Sequence, residues 1–309
     1  MKRLALALIA AVSPLILGSC QEKLEWTIDI TAGDIGFTED EEVIDTSSFE
    51  EIMRLDAIRP GPQGGDCWGD FFFQFTANNT AVRVYDLSTK TLVQTLKITN
   101  TLRGFVPNCH CNSVNFGTEF YDAEDIFPLL YVSTGYASGG YTGALVYRIT
   151  QHNGIFFITL VQTIKFPVET TSWTEFIPGD EYGYLCYTTE RVIYKIPMPK
   201  LKDGNIILSR DDAVETYQFT PQPDWMFTSR NQDRMFYHGK IIYISGVPQS
   251  GEASVFVSLN LETRERERII DFIKIGLTTE SESLFLWQGD ICVAFVDKIV
   301  KLIDFVDTL

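Results

Sequence analysis

The segment Gly239-Lys240-Ile241-Ile242-Tyr243-Ile244-Ser245 is the most informative stretch of this 309-residue chain. A turn glycine precedes a run of β-branched and aromatic residues, a combination typical of a β-strand. Residues 69–75, 127–133, 181–187 and 289–295 share this pattern. The second residues of the five segments fall at positions 70, 128, 182, 240 and 290. A unit of about 55 residues is therefore repeated five times.

A second run of alternating or β-branched residues follows each of these segments, as in residues 81–87 and 253–259. Long helical periodicity is nearly absent, and only residues 49–55 are a candidate for a helical turn or two. Four-stranded antiparallel units repeated radially make a β-propeller, whereas a sandwich would not give five similar units and a solenoid usually has a shorter period. The sequence therefore predicts an all-β propeller, with five blades rather than six.

The two ends of the chain indicate how the ring closes. The last unit ends with its third strand near residues 302–305, so it lacks an outer strand. Residues 42–55 precede the first unit and are able to supply that strand. We therefore expect strands from both ends to complete one blade of a propeller domain that covers residues 46–309.

The first 19 residues have the pattern of an export signal. Lys2 and Arg3 precede an apolar stretch at residues 4–17, which is too short for a comfortable membrane span. The stretch ends in Leu17-Gly18-Ser19-Cys20, which resembles the lipobox of Gram-negative lipoproteins. The resemblance implies cleavage before Cys20, a diacylglycerol on its sulfur and an acyl group such as palmitate on its amino terminus. An ordinary secretory signal cut nearby is the alternative.

Residues 20–45 are rich in acidic residues and are predicted to be a weakly structured tether. Gln21 after the lipidated cysteine favours the outer membrane by analogy with lipoprotein sorting. The sequence therefore predicts an outer-membrane lipoprotein of the cell envelope, and it leaves open whether the protein faces the periplasm or the cell surface.

Two turns connect the chain to known propellers. Asp86-Leu87-Ser88-Thr89-Lys90 and Asn260-Leu261-Glu262-Thr263 look like the turns of TolB-like and quinoprotein-like propellers, and they also satisfy simple turn chemistry. Together with the repeat and the lipobox, they make the mature chain resemble the propeller lipoproteins of gut Gram-negative bacteria. That resemblance covers fold and location more firmly than activity, since most of these proteins have no assigned function.

The formal net charge of −16 at pH 7 argues against nucleic acid and anionic lipid surfaces as partners. Contact with the membrane is expected through the anchor at Cys20 only. The sequence contains no Gly-x-Ser-x-Gly, phosphate-binding loop or dinucleotide fingerprint, so no cofactor is predicted. Cys109-His110-Cys111 lacks a second cluster that would complete four zinc ligands, so no metal is predicted.

Polar residues precede the five repeated segments at the same phase, where the innermost strand of each blade would line the central channel. A ring of amide, imidazole, indole and carboxylate groups suits a polar ligand such as a glycan or a similar metabolite. The alternative is that these groups bind channel waters and one another. The candidate ligand-binding residues are Gln63, His110, Asn112, Trp173, Gln232, Arg234, Glu280 and Glu282.

The sequence therefore predicts a lipid-anchored binding or interaction module, with two alternatives. Glu280 and Glu282 could serve a propeller lyase or hydrolase together with His110, although no catalytic residue is assigned. A scaffold for another envelope protein would instead use the aromatic residues Tyr136, Tyr141 and Trp225. An enzyme would consume its ligand, and a scaffold would tolerate changes in the channel.

Overall fold

The computed structural model describes residues 49–56, 61–77, 79–98, 110–138, 141–167, 174–187, 192–219 and 231–302. The predicted signal, Cys20 and the tether lie outside these residues. The described chain begins with strand β1 (Phe49–Arg54). The strands of the first blade follow: β2 (Pro62–Trp68), β3 (Phe71–Thr76), β4 (Ala81–Asp86) and β5 (Thr91–Lys97).

Two further sheets form the second and third blades. The second contains β6 (Cys111–Phe116), β7 (Leu130–Ser138), β8 (Tyr141–His152) and β9 (Ile155–Pro167). The third contains β10 (Thr174–Ile177), β11 (Tyr182–Tyr187), β12 (Val192–Pro197) and, after β13 (Ile206–Ile207), strand β14 (Glu215–Gln218). The short strand β13 adds to the outer edge of the second blade, where it pairs with β9 in parallel.

The fourth blade contains β15 (Asn231–Tyr237), β16 (Lys240–Ser245), β17 (Val255–Asn260) and β18 (Glu265–Asp271). The fifth contains β19 (Ser281–Trp287), β20 (Asp290–Phe295) and β21 (Lys298–Leu302). Three short 3-10 helices at Leu201–Asp203, Arg210–Asp212 and Pro248–Ser250 lie in connections. Among the described residues, no helix is long and apolar enough to cross a membrane.

Strand β1 completes the fifth blade, whose order is β1-β21-β20-β19. It pairs antiparallel with β21, from Phe49 opposite Leu302 to Arg54 opposite Lys298. The predictions of five blades and of closure by an N-terminal strand are confirmed. The helical turn considered for residues 49–55 is wrong, because these residues obtain their backbone hydrogen bonds from the edge of β21.

Five hydrophobic clusters fill the five gaps between neighbouring blades of the described chain. Successive residues of a strand face opposite sides of its sheet. On β3, Phe72 stacks on Phe285 of the fifth blade at 4.4 Å between ring centroids, and Phe73 packs edge-on against Phe127 of the second blade at 5.5 Å. Both faces of each blade are therefore buried, which explains why the repeated segments are almost continuously apolar.

Candidate binding site

The first strand of every blade lies at the centre of the ring, where β2, β6, β10, β15 and β19 contact one another. Five of the candidates lie on these inner strands, namely Gln63, Asn112, Gln232, Arg234 and Glu282. His110 directly precedes β6 and Glu280 directly precedes β19. Trp173 directly precedes β10 in the sequence, outside the described residues. All the described candidates therefore lie on the inner strands or directly before them.

Several candidates are paired with one another across blades. Gln63 Nε2 donates a hydrogen bond to Glu282 Oε2 at 3.0 Å, which joins the first and fifth blades. Gln232 Nε2 donates to Glu280 Oε1 at 2.7 Å, which joins the fourth and fifth. These bonds show that the polar lining holds the blades together, as the structural alternative expects. They do not exclude a ligand, because Gln63 Oε1 and Asn112 Oδ1 accept no hydrogen bond from the described residues.

Arg234 forms an ion pair with Glu175 of the third blade. Arg234 Nε lies 2.8 Å from Glu175 Oε2, and the carboxylate is almost completely buried. Burial raises the pKa of Glu175, and the nearby guanidinium opposes that shift. Burial likewise raises the pKa of Glu282 well above its ordinary value, and the charges of Glu280 and Asp233 add to the shift. The interior is therefore rich in carboxyl groups whose charge is disfavoured.

The inner strands carry β-bulges at the candidate positions. The pairing with the second strand shifts register at Gln63-Gly64, at Asn112-Ser113, at Gln232 and at Glu282. A bulge redirects side chains that regular alternation would place elsewhere, and bulges are common beside functional sites. Gly64 permits a close approach of β2 to β6, because a β-carbon there would collide with the backbone carbonyl of Asn112. The bulges therefore set which side chains line the channel.

Two aspartates, Asp66 and Asp233, connect neighbouring inner strands. Asp66 accepts hydrogen bonds from the N–H groups of Cys67, at 2.7 Å, and of Phe116 in the second blade, at 2.6 Å. Asp233 accepts from its own neighbour Arg234, at 2.7 Å, from Leu284 in the fifth blade, at 2.8 Å, and from Val114 in the second blade, at 3.4 Å. The two carboxylates have the same structural role, but Asp233 is completely buried and Asp66 is only partly buried.

A cavity of about 390 Å³ opens where the inner strands end. It lies at the carboxyl ends of these strands, whereas the candidates from the sequence cluster towards their amino ends. Asp66, Asn115 and Gln288 supply polar side chains, and all five blades contribute to the lining. A volume of this size suits a small metabolite. This site is not among the candidates from the sequence, and its only local signal is an aspartate in the middle of the inner strand β2, since aspartate is rare in strands.

Aromatic side chains form much of the cavity wall. Trp68, Phe116, Phe236 and Phe285 all line it. Trp68 is 39% exposed and packs against Phe116, with 5.8 Å between ring centroids. Phe236 stacks on Tyr184 at 4.8 Å, outside the lining. Because neighbouring rings hold these side chains in place, the wall is preorganised to bind a ring or another flat apolar surface.

Asp66 is the charged group of this cavity. Burial raises its pKa to about 7, although the N–H groups of Phe116 and Cys67 act in the opposite direction. Cys67 also lines the cavity, and burial raises the pKa of its thiol far above the ordinary value, with the charge of Asp66 adding to the shift. Cys67 is therefore a neutral thiol at physiological pH, and the charge of the cavity depends on Asp66.

The cysteines that the structure describes are all buried. They are Cys67, Cys111, Cys186 and Cys292. Cys186 and Cys292 pack as small buried hydrophobic residues inside their strands, and Cys67 and Cys111 are not joined to each other by a disulfide. Cys109 lies outside the described residues. Among the residues that the structure describes, no group of three or more His, Cys, Asp or Glu side chains is arranged to hold a metal ion.

No protein-family model and no curated protein matches this chain. Among solved structures, the glutaminyl cyclase of Myxococcus xanthus is similar at 12% identity and a TM-score of 0.46, over 82% of this chain and 100% of that chain. The computationally designed protein Ika8 is similar at 8% identity and a TM-score of 0.36, over 81% and 98%. Apo AztD from Citrobacter koseri follows at 11% identity and a TM-score of 0.30, over 69% and 47%.

At these TM-scores and identities, the likenesses carry no argument about activity. The architecture follows from the sheets themselves. Four of the five sheets consist of four antiparallel strands, and the remaining sheet consists of four antiparallel strands with the short strand β13 added at its edge. The chain is a five-bladed β-propeller, a fold that can serve as a binding or scaffold module.

Proposed function

We propose that this protein is a lipid-anchored ligand-binding module of the cell envelope, and that its ligand binds in the cavity at the carboxyl ends of the inner strands. The observation that carries the proposal is this cavity, which combines a carboxylate, an amide and fixed aromatic rings. Concave sites of this size, with a few polar groups in an apolar wall, are the usual place of small-molecule binding.

The proposed ligand is a glycan or a similar small polar metabolite. Trp68 offers a partly exposed aromatic face on which a sugar ring could stack, and Asn115 can both donate and accept hydrogen bonds. The candidates from the sequence, which cluster at the amino ends of the inner strands, form a second and less favoured region for ligand contact in the same channel. They are less favoured because Gln63 and Gln232 already donate to carboxylates of the fifth blade.

Binding is tested by screening the full chain against a glycan array and a library of small polar metabolites. We expect Trp68→Ala to lower the affinity for a retained ligand at least tenfold, which corresponds to about 1.4 kcal/mol, because stacking on the indole is lost. Phe157→Ala is the matched control, since Phe157 is also an exposed aromatic residue, at 49% exposure, but does not line the cavity. Equal affinities of the two variants and the wild type would rule out this cavity as the site.

The location in the envelope rests on the sequence of residues 1–20. We expect Cys20→Ser to move the protein from the membrane fraction to the soluble fraction of cells, because the sulfur that would carry the diacylglycerol is lost. The measurement is immunoblotting of both fractions beside metabolic labelling with palmitate. A variant that remains in the membrane fraction as completely as the wild type would contradict the proposed anchor.

A further inference from the structure

The charges around the cavity are unbalanced. Asp66 lines it, whereas none of the described residues that line it is a lysine, arginine or histidine. Glu175, a buried carboxylate of the third blade that does not line the cavity, has the guanidinium of Arg234 at 2.8 Å. Burying a carboxylate is costly unless a cation or several hydrogen bonds compensate. Asp66 accepts two backbone hydrogen bonds, which leaves about two of its four acceptor positions for a ligand.

The walls around Asp66 also favour a positive charge. Trp68, Phe116 and Phe236 line the same cavity, and the face of an aromatic ring attracts a cation that lies within about 6 Å of its centre. The net charge of −16 acts in the same direction over a longer range, because it attracts cations to the protein and repels anions. The carboxylate of Asp66, the aromatic walls and the overall charge of the protein therefore all favour a positively charged ligand.

We propose that the ligand of this cavity carries an ammonium group, which binds between the carboxylate of Asp66 and the aromatic side chains of Trp68 and Phe116. This inference rests on the proposed function, since it names the ligand class of the same cavity. An amine-bearing sugar and a quaternary ammonium metabolite both belong to this class. Neutral glycans and anions do not.

The affinity is expected to depend on pH, because an ammonium group binds the ionised form of Asp66. The pKa of Asp66 is about 7 in the free protein, so most of this carboxyl is protonated at pH 5 and ionised at pH 8. The titratable groups near it are Cys67 on the same strand and Asp233 on β15, while β6 and β19 face the cavity with neutral residues. Affinity should therefore rise roughly 10- to 100-fold from pH 5 to pH 8.

The experiment is calorimetric titration of the full chain with choline and with 3,3-dimethylbutan-1-ol, its neutral isostere. Choline carries a permanent charge, so any effect of pH on its affinity comes from the protein. We expect saturable choline binding at pH 8, a loss of at least tenfold at pH 5, and at least tenfold weaker binding of the isostere at pH 8. Trp68→Leu should weaken choline binding and leave its pH dependence unchanged.

Asp66→Asn tests the carboxylate directly, with Asp233→Asn as the matched control. Both aspartates accept backbone N–H groups, two at Asp66 and three at Asp233, but only Asp66 lines the cavity. We expect Asp66→Asn to remove the preference for choline over its isostere, whereas folded Asp233→Asn retains it. If either variant fails to fold, as judged by circular dichroism, the comparison of the two ligands at two pH values in the wild type decides.

The outcomes separate this inference from the proposed function. Equal affinity for choline and the isostere, or choline affinity that does not change with pH, would overturn the ammonium ligand while leaving the cavity as a binding site. The absence of saturable choline binding would also overturn it. The proposed function still stands in these cases if the screen yields a neutral ligand and Trp68→Ala weakens its binding. It fails together with the inference if Trp68→Ala does not weaken the binding of any ligand.

Discussion

Replacing Glu175 by glutamine is expected to lower the free energy of unfolding by about 3–5 kcal/mol. The substitution removes the negative partner of Arg234, whose guanidinium lies inside the ring at 2.8 Å from the carboxylate. A buried charge without its partner retains the full cost of its desolvation, and this cost dominates the effect. The measurement is equilibrium unfolding in guanidinium chloride.

The matched control is Glu51→Gln at the exposed pair of Glu51 with Arg54, whose ionic contact measures 3.0 Å. This change should cost less than about 0.5 kcal/mol, because water screens an exposed pair. The double variant Glu175→Gln with Arg234→Met should recover part of the loss, since it removes both buried charges. A single variant Glu175→Gln that unfolds at the same denaturant concentration as the wild type would show that the pair does not hold the inner ring together.

The folded protein is expected to be more stable at pH 5 than at pH 8, the opposite of ordinary acid destabilisation. Burial raises the pKa values of Asp66, Asp233, Glu175 and Glu282 in the folded state. A carboxyl in the unfolded chain titrates near pH 4, so between that pH and its folded pKa the folded state binds more protons. The stability that each of these carboxyl groups contributes is fully present below its unfolded pKa and is lost as the pH rises towards its folded pKa.

For Asp66, whose folded pKa is about 7, the loss amounts to about 1.4 kcal/mol per pH unit between pH 5 and 7. Exposed carboxylates with lowered pKa values, such as Asp86, act with the opposite sign, but only near and below pH 4. Denaturation at pH 5, 6, 7 and 8 measures the slope. Asp66→Asn should reduce it and Asp86→Asn should not. Stability that increases steadily from pH 5 to pH 8 would contradict the assignment of these buried carboxyls.

The repeat made the architecture predictable from sequence. Each blade buries both faces of its second strand, so segments such as residues 69–75 and 239–245 carry the same apolar pattern at a regular period. The repeat also showed that the last unit lacks its outer strand, which predicted that β1 closes the ring. Its bounds were less clear, because Phe49–Arg54 is polar on its exposed positions and its strand conformation depends on pairing with β21.

The phase of the repeat also predicted which segments line the channel, but not what their side chains contact. The partners of Gln63 and Arg234 lie in other blades, and the bulges that direct these side chains depend on pairing register. The cavity was missed because Asp66, Phe116 and Phe236 come from three blades and meet only at the ends of the inner strands. A short sequence pattern cannot predict a site whose residues are distant in the sequence.

The most direct test of the binding site is fluorine NMR of protein labelled with 5-fluorotryptophan. The five tryptophans give resonances that single Trp→Phe variants assign, and they include Trp68 at the cavity and Trp173, the candidate that precedes β10. Compounds retained from the binding screen are then titrated into the labelled protein. The cavity site predicts that they shift the Trp68 resonance first and most strongly. Ligands that shift the Trp173 resonance and leave the Trp68 resonance unchanged would contradict it and would favour the candidates from the sequence instead.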